Sequence, residues 1–95
     1  NYPQSKIAPL AILRISLLNY KINNFEESLR FASNLKNTEF EDRGIILSDH
    51  IYELKLSNID EALKRYMKII NDFPQSVHFE PVRYHVRKIN QGKNI

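Results

Sequence analysis

Cysteine is absent from the 95 residues, and with it go disulfide frameworks, thiolate nucleophiles and zinc–thiolate sites. Glycine is nearly absent too, at two residues, and no low-complexity tract occurs; both favour helices over a turn-rich sheet. No long apolar run is free of charge. The stretch 7–22 is interrupted by Arg14 and lacks a cleavage site, so it reads neither as a membrane span nor as a secretory leader. Neither an HExxH zinc motif nor a glycine-rich phosphate loop is present. The histidines His50, His78 and His85 include no pair four residues apart, which leaves them as surface or interface side chains. No catalysis, metal or cofactor is expected.

What remains is the balance of a soluble globular domain, 42% apolar and 26% charged. A chain this short buries only about 60–65% of the surface it exposes when unfolded, so a self-sufficient core is marginal. The net charge of +3 is unevenly placed. Residues 1–37 carry five basic against two acidic side chains, residues 38–74 five against eight, and residues 75–95 four against one. An acidic middle and a basic tail do not make the single basic face of a nucleic-acid binder, and no nucleic-acid partner is expected.

The chain resembles itself. "NYPQS" at 1–5 returns as "DFPQS" at 72–76, and an offset of 34 lays "LLNYKINNFEESLRFASNLKN" over "IYELKLSNIDEALKRYMKIIN". Identities fall at Lys21/Lys55, Asn24/Asn58, Glu27/Glu61, Leu29/Leu63 and Asn37/Asn71. A period of this length holding two helices is the signature of stacked helical hairpins.

Helix punctuation agrees. Asn24 with Glu27, Thr38 with Glu41, and Asn58 with Glu61 have capping-box spacing. The expected helices are 6–21, 25–36, 39–55, 59–72 and about 77–90, with Pro74 stopping the fourth and Ser76 capping the fifth. Pro81 leaves two starts open for the fifth, Val77 or near Pro81 itself. Glu39, Glu41 and Asp42 are expected as solvated acids at a helix N-terminus. Ile59, Ala62, Leu63, Tyr66, Ile69 and Ile70 form one buried stripe of the fourth helix, and Phe79, Val82, Val86 and Ile89 one of the fifth. The first helix has two stripes, Leu10, Leu13, Leu17 and Tyr20 against Ala8, Ala11, Ile15, Leu18 and Ile22. One of them needs a cover from outside the 95 residues or from a second copy. Ser16 and Ser28 are expected as small packing residues.

At "NIDEALKRYMKIINDFP" the sequence resembles a tetratricopeptide repeat. Ala62, Tyr66, Ile69 and Pro74 stand at the positions of the family's second-helix signature, with Ile69 where alanine is usual. Tyr52 stands at the first-helix aromatic, and the stretch from Tyr52 to Ala62 is one residue longer than the commonest spacing. The first copy is degenerate, with Ser28, Ala32, Leu35 and Phe40 as equivalents. The phrases "YPQSKIAPLAILR" and "FPQSVHFEPVRY" resemble linkers of the bacterial envelope-associated branch, and "EPVRYHVRKIN" its arginine-bearing last helix.

The resemblance implies an all-α fold, a right-handed superhelix of antiparallel helix hairpins forming the C-terminal end of a longer array. Its units would be a divergent repeat at 1–37, a second repeat at 38–74, and a capping helix with tail at 75–95. It also implies a protein or peptide partner held on a concave face. Carrying that face over gives Ser16, Asn19, Ile46, His50, Glu53, Tyr84 and Arg87. The implied setting is the bacterial periplasm or cell envelope, with any membrane link indirect; a cytoplasmic adaptor, or a homodimer formed through the first helix, are the alternatives.

Overall fold

The computed structural model describes residues 8–93. They form an all-α fold with no strand among them: α1 (Pro9–Lys21), α2 (Phe25–Ser33), α3 (Glu41–His50), α4 (Ile59–Asp72) and α5 (Phe79–Lys93). Each helix packs on the next in sequence, and α1 also touches α3. The first "PQS" segment lies outside the described residues.

Local chemistry sets the boundaries. Ala8 is extended, at φ −58° and ψ 140°, as a residue before proline prefers, so α1 starts at Pro9 and not at Lys6. Asn37, at φ 66°, lies in the turn that follows α2, which ends at Ser33 instead of continuing to residue 36. Thr38 does not cap α3. Its hydroxyl donates to the Leu35 carbonyl at 2.6 Å and accepts from the Phe40 amide at 3.2 Å, and the helix begins at Glu41. Asn24 makes no side-chain cap either, whereas Asn58 accepts from the Glu61 amide at 3.2 Å. Helix α5 starts at Phe79, between the two expected positions. Pro81 is then its third residue, where the missing N–H has no intrahelical partner to lose. Ser76 accepts from the His78 amide at 3.0 Å ahead of that helix and donates to Asp42 at 2.7 Å. Asp42, expected to be solvated, thus ties the start of α3 to the loop after α4.

The end of α3 carries the main irregularity. Residues Ile51–Lys55 form one π turn, closed by the Leu56 amide on the Ile51 carbonyl at 2.9 Å. A π turn is wider than an α turn, its hydrogen bonds spanning five residues. The two hairpin turns close differently: Asn24 N–H donates to the Asn19 carbonyl, while Asn58 N–H, 34 positions on, reaches back one residue further to Tyr52. The turns otherwise match, with positive φ at Asn23 (65°) and Ser57 (53°).

Between buried positions the second hairpin is one residue shorter than the first, fifteen from Leu47 to Ala62 against sixteen from Ile12 to Ser28, and the chain has two spacings. In α2 with the turn after it and in α4 the buried positions are 34 apart: Ser28 with Ala62, Ala32 with Tyr66, Leu35 with Ile69. In α1, α3 with its π turn, and α5 they are 35 apart: Ile12, Leu47 and Val82, then Ser16, Ile51 and Val86.

Small residues let the helices approach. Ser16 and Ser28, both with no exposed surface, donate reciprocally, Ser16 Oγ to the Ser28 carbonyl at 2.6 Å and Ser28 Oγ to the Ser16 carbonyl at 2.8 Å. At the α2–α3 crossing, a Cβ on Gly44 would lie 2.7 Å from the Ala32 carbonyl oxygen and 3.1 Å from Leu35 Cδ1. Beyond these crossings the apolar core has two clusters, Ile12 and Leu13 of α1 with Leu35 of the turn after α2, and Ala62, Tyr66, Ile69, Val82 and Val86 between α4 and α5.

Gly44→Ala should therefore destabilise the fold by on the order of 1–3 kcal/mol through overpacking, against a helix-propensity gain of about 1 kcal/mol. Gly92→Ala, where an added Cβ meets nothing within 4 Å, should be neutral or stabilising. Urea denaturation of the two variants checks both, and equal midpoints would show that the α2–α3 crossing is not tight.

Candidate functional site

Two hollows adjoin on the face made by α1, α3 and the start of α5. One, of about 350 Å³, is lined by Leu13, Leu17, Arg43, Ile46, Leu47, His50, Val77 and His78. The other, of about 160 Å³, is lined by Ile46, His50, Tyr66, His78, Pro81, Val82 and His85. They share Ile46, His50 and His78 and so form one trough across three helices. Its walls are mostly aliphatic, and its polar groups gather at the α5 end.

All three histidines meet there. His85 Nε2 lies 2.8 and 3.0 Å from the two Glu53 carboxylate oxygens, and Glu53 also accepts from the Tyr66 hydroxyl at 2.6 Å. The Tyr66 and His85 rings stand edge to face at 5.2 Å. His78 Nε2 is buried and has no hydrogen-bond partner among the described residues. Burial, then the repulsion of His85 and His78, holds the His50 imidazole below its ordinary pKa, with Glu53 opposing. For Glu53, burial pushes the carboxyl up, but the Tyr66 and His85 hydrogen bonds and the nearby imidazoles outweigh it, and the group titrates below the usual range. Burial and the Glu53 hydrogen bond raise the Tyr66 phenol.

The residues expected to face a partner divide according to the two spacings. Ile46 and His50 line both hollows, and Glu53 sits behind them, locked by Tyr66 and His85. Ser16 has no exposed surface and cannot meet a partner. It is the counterpart of Ile51, not of His50, because the groove-side helices run at 35 and not at 34. The same shift moves the α5 position from Tyr84 to His85. Tyr84 is 60% exposed with the Lys88 ammonium 5.2 Å over its ring, and neither it nor Arg87 lines the trough. Asn19 is half-buried, its amide donating to the Ile15 carbonyl at 2.9 Å. Leu17, Arg43, His78, Pro81 and His85 were missed. Counting the first, third and fifth helices at 35 aligns His85 with His50 and was the signal available.

A larger hollow of about 660 Å³ opens on the other side, between α2 and α4 over Gly44, Ile45 and Tyr52. Arg65 stacks on Tyr52 at 4.5 Å. The cations Arg30, Lys64, Arg65 and Lys68 are each paired with an acid of their own helix, Glu27, Glu61 or Asp72, which leaves this side with little charge preference.

Behind the trough, Asp49 has no exposed surface, and neither of its carboxyl oxygens has a hydrogen-bond partner among the described residues. Burial raises its pKa to about 9, with Arg65 opposing and Glu53 reinforcing. It is a neutral acid at pH 7. No group of three metal-capable side chains stands close enough to hold an ion among the described residues, and no helix among them is long and apolar enough to cross a membrane. Comparison with protein-family models, with curated proteins and with solved structures finds no match for this chain.

Two pH effects follow. A raised folded pKa at Asp49 gives stability that is complete below its unfolded value near 3.9 and is lost as pH rises toward about 9, at up to about 1.4 kcal/mol per pH unit. Asp49→Asn should flatten this slope and stabilise the protein at pH 8; a wild-type stability that does not fall between pH 5 and pH 8 would show that the buried carboxyl is ionised. The depressed Glu53 acts in the opposite sense, contributing above its unfolded value near 4.3 and losing that contribution as pH falls through its folded value. Tyr66→Phe removes one of its donors and should cost about 1.5–3 kcal/mol at pH 7, with the loss shrinking below pH 4 in urea titrations.

Proposed function

We propose that this chain is a helical-repeat binding module, of the kind its resemblance to tetratricopeptide repeats implies, and that the trough across α1, α3 and α5 holds a segment of a partner protein. The observation that carries this is the continuity of the two hollows through Ile46, His50 and His78. A trough with aliphatic walls and a few convergent polar groups suits a segment with apolar anchors. The matched burial at spacings of 34 and 35, and the positive φ at both Asn23 and Ser57, support the reading of stacked, like hairpins wound as a right-handed superhelix. The aromatic-Pro-x-Ser linkers support a setting in a bacterial envelope assembly.

A second reading has its own observation. Leu10, Leu17, Leu18 and Ile22 of the first helix and its turn are 43%, 39%, 60% and 70% exposed, enough apolar surface to join two copies through α1.

Selection of random peptides on the immobilised protein tests the first reading. Enriched peptides should protect α3 and α5 amides beside the trough from hydrogen exchange. Leu17→Glu should weaken them about tenfold or more, while Met67→Glu on α4 leaves them unchanged; protection confined to α2 and α4 would refute the trough. Sedimentation equilibrium tests the second: self-association should be abolished by Leu18→Glu, and a strict monomer at submillimolar concentration removes that reading.

A further inference from the structure

We infer that the α5 end of the trough is a carboxylate subsite, in which an acidic group of the bound segment lies against His50 and His78 and is taken up together with a proton. This rests on the trough being the partner's seat and adds the chemistry of what sits there. The three imidazoles come from separate segments, α3, the loop after α4, and α5, and converge on a hollow of about 160 Å³. Such a space holds one side chain.

The charge inventory decides its sign. From α3 the trough receives Arg43 and His50; from the loop His78; from α5 His85; from α4 only the Tyr66 phenol; from α1 only leucines; behind its lining, in the π turn, lies Glu53. Glu53 is the one acid, and His85 and Tyr66 already occupy it. Arg43 makes no ion pair among the described residues; its guanidinium rests over Phe40 at 5.7 Å. His78 Nε2 is buried without a partner. A protonated imidazole is a donor at both nitrogens, so protonation leaves this end rich in donors and short of one acceptor anion. An incoming ammonium would find no free carboxylate. A metal would have to break the His85–Glu53 contact.

Proton linkage follows. His50 and His78 repel when both are charged, and neither is hydrogen-bonded to a carboxylate among the described residues, Glu53 acting on His50 only through space while it holds His85 and Tyr66; a carboxylate that pairs with them therefore binds more tightly where they carry protons. Affinity should rise about tenfold between pH 7.5 and pH 5.5.

The test uses the wild-type 95-residue chain and imidazole-detected NMR, with N-acetyl-glutamyl-methylamide as probe and its glutaminyl analogue as control. The glutamyl probe should move the titrations of His50 and His78 to higher pH, and the control should not. Equal responses to both probes, pH-independent binding, or saturation by one equivalent of zinc with all three imidazoles engaged would overturn the inference. His50→Gln and His78→Gln, checked for unchanged thermal stability, should each remove the response. Selected peptides, amidated or with a free C-terminus, separate a side-chain from a terminal carboxylate. If they occupy the trough but tolerate replacement of every carboxylate by its amide, the subsite falls and the trough stands. If the single glutamyl probe responds while no peptide is selected, the subsite stands and the partner-segment reading falls.

Discussion

The change of winding at the end of α3 governs what the trough side presents. A helix cannot gain or lose a residue without shifting every side chain after it by about 100° around the axis. The second hairpin runs one residue shorter than the first between buried positions, fifteen from Leu47 to Ala62 against sixteen from Ile12 to Ser28, and the wider π turn at Ile51–Lys55 lies within that stretch. Leu47 and Ile51 stand 35 positions on from Ile12 and Ser16, whereas Ala62, Tyr66 and Ile69 repeat the burial of Ser28, Ala32 and Leu35 at 34. Glu53 sits in the middle of this turn, where Tyr66 of α4 and His85 of α5 both reach it.

The same carboxylate joins packing to the site. Tyr66 is almost fully buried in the second core cluster, yet its hydroxyl emerges at the edge of the trough to hold Glu53. Glu53 thus links a core side chain to a trough side chain through two hydrogen bonds, one to Tyr66 and one to His85. Asp49 lies close enough for the Glu53 charge to help keep it protonated, but its effect on stability has the opposite pH dependence. The two acids thus weaken the fold at opposite ends of the pH range, a consequence of one being hydrogen-bonded and the other not.

Close approach of helices in so small a protein depends on residues that look unremarkable in the sequence. Ser16 and Ser28 satisfy each other's backbone carbonyls, and Gly44 admits the Ala32 carbonyl against α3. These contacts bring a neighbouring backbone carbonyl against a serine hydroxyl or a bare Cα, so they require small side chains more than hydrophobic ones.

Helices, their order and most of the core were legible in the residues alone. The 3.6-residue stripes of Ile59–Ile70 and Phe79–Ile89 appear in the structure as buried faces, and the 34-residue offset correctly paired Ser28, Ala32 and Leu35 with Ala62, Tyr66 and Ile69. Local signals failed where tertiary contacts compete for the same atoms: Thr38 bonds back to Leu35 instead of capping α3, and Asp42 is captured by Ser76. The candidate site came from packing. Apolar periodicity survives a one-residue error because buried stripes are broad, whereas an individual groove position does not: a shift of one residue puts Ser16 in the core and Tyr84 in solvent. The meeting of His50, His78 and His85 depends on helix packing across some thirty residues of chain, and no local spacing records it.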